Sequence, residues 1–66
     1  MNADEMVRLH RQVVEARDRL DALLDSKEAA LEGRGVAPSP NEIDRARAML
    51  ETAEALLRTA ERTAVQ

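Results

Sequence analysis

The stretch SPNEIDRARAMLETAEALLRTAERTA, Ser39 to Ala64, decides the fold. Read in sevens, it places Ile43, Leu50, Leu57 and Ala64 at one position and Ala46, Ala53 and Ala60 at another, the spacing of a helix that lies against a second helix. The alanines let a partner backbone come close, and the large residues between them supply apolar area. The start of the helix is marked three ways. Ser39 caps it, Pro40 suits the first helical position because its missing N–H has no partner there, and Glu42 stands three residues after the cap to complete a capping box.

A second helical pattern precedes this one. Met6, Leu9, Val13, Ala16, Leu20, Leu23, Lys27 and Ala30 recur at alternating three- and four-residue steps, with Lys27 the one charged member. A lysine near the end of such a stripe lays its stem along the seam and keeps its charge in water. Asn2 with Glu5 forms another capping-box pattern, and Asp4 and Glu5 put negative charge at the positive end of the helix dipole. Gly33 stops this helix, because glycine takes the left-handed conformation without steric penalty. The connector Gly-Arg-Gly-Val-Ala-Pro is long enough for a reversal and too short for a domain linker. The chain therefore reads as one all-α domain over residues 1–66: helix 1 at about 3–32, a loop at 33–39 and helix 2 at about 40–63, packed as an antiparallel hairpin.

Leu9, Val13, Leu20, Leu23, Ile43, Leu50 and Leu57 are the expected intramolecular seam. A register symmetric about the loop pairs Leu9 with Ala64, Val13 with Ala60, Ala16 with Leu57, Leu20 with Ala53, Leu23 with Leu50, Lys27 with Ala46 and Ala30 with Ile43. Nearly every layer then sets a large side chain against an alanine, which keeps the volume of a close-packed seam even. On one flank Arg17 meets Glu54 and His10 meets Glu61; on the other Arg19 lies near Leu56 and Ser26 near Met49, pairs with no internal reason.

Composition explains why a lone hairpin is an incomplete account. At 66 residues, with no cysteine and no aromatic residue, the chain lacks both disulfides and the side chains that bring the most buried area. Its single histidine has no second one to share a metal site, and no cofactor is expected. Val7, Val14, Leu24 and Leu31 widen the apolar stripe on one side of helix 1, while Met49 and Leu56 widen the opposite flank of helix 2. A stripe this wide belongs to a helix with more than one neighbour. Val14, Leu24, Leu31, Met49 and Leu56 are accordingly the candidate interface between chains, and two hairpins closing into a twofold four-helix bundle are the simplest arrangement.

The net charge of −3 is spread over thirteen acids and ten bases that are interspersed along the chain, which disfavours a nucleic-acid partner needing a broad basic face. Even so, Arg8, Arg11, Arg58 and Arg62 gather at the pole away from the loop and form a candidate polar contact site, diluted by Glu15, Glu54 and Glu61. Asp18, Asp21, Asp25, Glu28 and Glu32 make an acidic ridge along helix 1, read as a solvated face. His10 reads as a flank residue paired with Glu61, and Ser26 and Ser39 have no histidine beside them, so no catalytic group is expected. No apolar run approaches the roughly 18 residues that span a bilayer, and Met1 to Met6 lacks a signal pattern, so the expected location is cytoplasmic. Nine of the ten bases are arginine, a bias that fits a GC-rich bacterial or phage genome.

In the tail, Leu57, Ala60, Glu61 and Val65 loosely resemble the end of the exonuclease VII small subunit, a helical hairpin that wraps a large catalytic chain. The valine stands one position late and that family's loop is missing here, so the resemblance implies only a helical accessory subunit. The reading from the residues is a small self-associating protein–protein interaction module, a non-catalytic adaptor or regulator whose partners are a second copy of itself and another protein. The alternatives are an accessory subunit of an enzyme complex and a small dimeric helical-hairpin RNA binder using the arginine pole.

Overall fold

The computed structural model describes residues 3–65. Two helices, α1 (Ala3–Leu31) and α2 (Pro40–Val65), pack against each other as a hairpin, with no strand among the described residues. The first helix ends one residue before Glu32, and the second continues through Val65, past the Thr63 end expected from the sequence. The Asn2 cap lies outside the described residues.

The turn is built by backbone hydrogen bonds that the glycine makes possible. Gly33 has φ 83°, and its amide donates to the Ala30 carbonyl at 3.0 Å while the Arg34 amide donates to the Ala29 carbonyl at 2.8 Å. These two bonds form a Schellman motif, which satisfies carbonyls that the helix end would leave open. At the start of α2 the Glu42 amide donates to Ser39 Oγ at 3.2 Å, so Ser39 acts as the cap. The return bond of a full capping box, from the Ser39 amide to the Glu42 carboxylate, is not formed among the described residues. Both residues are exposed, and water satisfies that carboxylate equally well.

The core is a thin line. Val13, Leu20, Ile43, Ala46, Ala53 and Ala60 are buried, Ala46 most of all at 2% exposure, and half of these six are alanine. Leu20 clusters with Ile43 and Ala46, and Leu23 and Leu50 pack against them. This corrects the loop-symmetric register. Leu20 lies level with Ala46 rather than Ala53, a slide of one heptad, or about 10 Å along the axis.

A slide of seven keeps every seam residue in the seam, so periodicity alone permits both registers. The two differ at their ends. The observed one takes Lys27 away from Ala46 and leaves it exposed, and it brings Met6, half-buried, level with the buried Ala60. An apolar layer thus replaces one containing a charge. Consequently α1 overhangs the start of α2 at the loop end, where Leu31 and Val36 are exposed and Pro38 is half-buried.

The molecule is a rod of 51 × 17 × 12 Å with a radius of gyration of 15.2 Å, against about 11 Å for a compact chain of this length. Its accessible surface of 5135 Å² exceeds by roughly a quarter the ~4,200 Å² typical of a monomer of this mass.

Candidate interaction surfaces

Each helix can bury only the stripe that faces its neighbour, so the residues one step further round its circumference decide what the hairpin presents. Of the expected seam residues, Val13, Leu20 and Ile43 are buried, and Leu9, Leu23, Leu50 and Leu57 are half-buried. The candidate interface residues all lie outside this line. Val7, Val14, Leu24 and Leu31 form an exposed row on one side of α1, Val14 at 53%. Met49 at 60% and Leu56 at 51% lie on the other flank, on α2.

The second flank is a groove of about 610 Å³ between the helices. Its floor is Ala16 and Ala53; Gln12, Glu15 and Arg19 line it from α1, and Ala48, Met49, Thr52 and Leu56 from α2. The one-heptad slide sets Arg19 level with Met49 and Gln12 level with Leu56, whereas Ser26, expected near Met49, lines a separate polar hollow near the loop. Charge in the groove is confined to the α1 wall. Ala48 and Thr52, not singled out in the sequence reading, belong to a further seven-residue repeat with Ala55 and Thr59 that the seam pattern overshadowed.

On the first flank Arg17 Nη2 approaches Glu54 Oε2 at 3.8 Å. In the observed register this is a diagonal contact. Both side chains lean toward the N-terminus of their own helix, and in an antiparallel pair those leanings converge. Among the described residues it is the one ion pair between the helices; His10 and Glu61 are exposed and form none. Both partners of the Arg17–Glu54 pair are largely in solvent, so its contribution is small.

Arg8, Arg11, Arg58 and Arg62 are all exposed at the end away from the loop. Helical geometry turns Arg11 and Arg62 onto the outer backs of different helices, and Arg8 and Arg58 toward opposite flanks, so the four surround the pole without forming one face. The acidic ridge is likewise exposed from Asp18 to Glu32. Near the loop Asp25, Ser26, Glu28 and Glu32 line the polar hollow, where Glu32 pairs with Arg34. Among the described residues no group of three or more His, Asp or Glu side chains is placed to hold a metal ion. Nor is any described helix long and apolar enough to cross a membrane.

Exposed apolar side chains on both flanks of a thin core are thus the main surface feature of the described residues. In comparison with known proteins, no family model, curated protein or solved structure matches the chain.

Proposed function

We propose that this chain is a non-catalytic helical interaction module that associates with a second copy of itself, as four helices about a twofold axis, and through that assembly binds another protein. The observation that carries the reading is the pairing of a minimal core with exposed apolar rows. Not one described side chain reaches full burial, whereas Val7, Val14, Leu31, Met49 and Leu56 are each more than half exposed. A soluble chain that leaves this much apolar surface beside so slight a core gains stability by covering it.

Thermal unfolding followed by circular dichroism at a series of protein concentrations tests the proposal. A midpoint that rises with concentration is expected, because association stabilises the folded chain by mass action. A constant midpoint in a well-helical chain would overturn it. A chain that is scarcely helical at any concentration would reassign the apolar rows to a different protein, as in an accessory subunit.

A further inference from the structure

The second copy has two flanks on which to sit, and the charges choose between them. On α2 the exposed residues Ala48, Met49, Thr52, Ala55, Leu56 and Thr59 share one face, turned away from the core line, and none carries charge. Glu51 and Arg58 border that face on the side away from Met49 and Leu56. On α1, by contrast, the groove wall holds Glu15 and Arg19, which a groove-to-groove dimer would bury.

Resting on the self-association reading above, we propose that two copies dock α2 against α2, antiparallel about a twofold axis passing between Thr52 and Ala55. The spacing makes the face self-complementary. Ala48, Thr52, Ala55 and Thr59 recur at steps of four, three and four, which is seam spacing, so Ala48 faces Thr59 of the second copy and Thr52 faces Ala55. Small residues in every layer allow close approach, and a threonine hydroxyl in a helix has a carbonyl of its own helix within reach, as Thr63 Oγ1 shows by donating to the Thr59 carbonyl at 2.9 Å.

The flanks then pair in opposite ways. On one side Met49 meets Leu56 of the second copy, twice by symmetry, covering the two largest exposed apolar side chains of α2. On the other side Glu51 meets Arg58 of the second copy, also twice. This register stands apart from its heptad neighbours. A slide of one heptad in one direction sets Glu51 against Glu51 and brings Arg45 into the seam; the other slide sets Arg58 against Arg58 and brings in Arg62. A parallel pairing faces Glu51 with Leu56 and leaves both charges without partners. The antiparallel register that pairs Glu51 with Arg58 satisfies both flanks over the four small-residue layers; beyond them Arg45 faces Arg62 of the second copy at each end, where both long side chains turn their charges into water.

Charge exchange on the full chain, followed by size-exclusion chromatography with light scattering, tests this docking. Glu51→Arg and Arg58→Glu each place two like-charge pairs across the axis and should weaken the dimer about tenfold. An equimolar mixture of the two variants restores both attractions. The arginine introduced into one variant then meets the glutamate introduced into the other, and the unchanged Arg58 of the first meets the unchanged Glu51 of the second. The mixture should dimerise within about threefold of the native chain, even if each variant alone loses helix. A native dimer that tolerates both exchanges, or a mixture that stays monomeric, would overturn the α2-to-α2 docking while leaving self-association standing. A native chain that is monomeric throughout would remove the earlier reading as well.

Discussion

Helix α2 carries two versions of one pattern, and the structure uses them differently. Facing α1, the large Ile43, Leu50 and Leu57 alternate with Ala46, Ala53 and Ala60; Ile43 and the three alanines are buried, and the two leucines are half-buried. Facing away, Ala48, Met49, Thr52, Ala55, Leu56 and Thr59 repeat with the same period and are all exposed. The difference in burial reflects neighbours rather than residue type, since alanine serves on both faces. In the proposed dimer, this helix with packing chemistry on two sides is the middle layer.

The contrast is broken most sharply by cross-linking. Because the chain has no cysteine, introduced thiols report position directly. Leu20→Cys with Ala46→Cys is expected to close a disulfide within one chain; Leu20→Cys with Ala53→Cys is not, its partners being about 10 Å apart along the axis, beyond disulfide reach. Mass spectrometry after mild oxidation of dilute protein distinguishes them. Next in size, Ala46→Leu overfills the buried face and should cost about 1–3 kcal/mol in urea unfolding. Ala48→Leu, two residues away on the open face, should shift the same curve by no more than about 0.5 kcal/mol in the dilute limit. Equal effects would erase the distinction between the faces.

Two smaller effects sharpen the picture at the edges of the seam. Ser39→Ala removes the bond to the Glu42 amide and should destabilise by about 1 kcal/mol, read as a lower urea midpoint with unchanged slope. Arg17→Ala deletes the exposed diagonal pair and should cost only ~0.2–1 kcal/mol, shrinking further in high salt.

Much of this architecture is legible in the sequence, for identifiable reasons. Three- and four-residue steps separate the face that holds Leu20 and Ile43 from the face that holds Asp18 and Asp25. Glycine at residue 33 announces a turn because its φ of 83° suits no other residue as well. Register is a different matter. A pattern that repeats every seven residues matches itself after a slide of seven, and the loop is long enough to accommodate either alignment. The deciding signal is present but faint: one register faces Lys27 with Ala46, and the other sets Met6 level with Ala60. The arginine pole shows another limit. Sequence position places Arg8, Arg11, Arg58 and Arg62 at one end, but only the turn of each helix reveals that they face different ways. The hairpin leaves Met49 and Leu56 exposed, so no internal pairing accounts for them.

Whether the hairpin needs a second copy is decided by sedimentation equilibrium of the native chain over a wide concentration range, with helix content measured on the same samples. The expected result is a dimer that loses helix as it dissociates on dilution. A monomer that stays fully helical at every concentration would contradict self-association, showing that the thin line from Val13 to Ala60 suffices alone and that the exposed rows need no second copy.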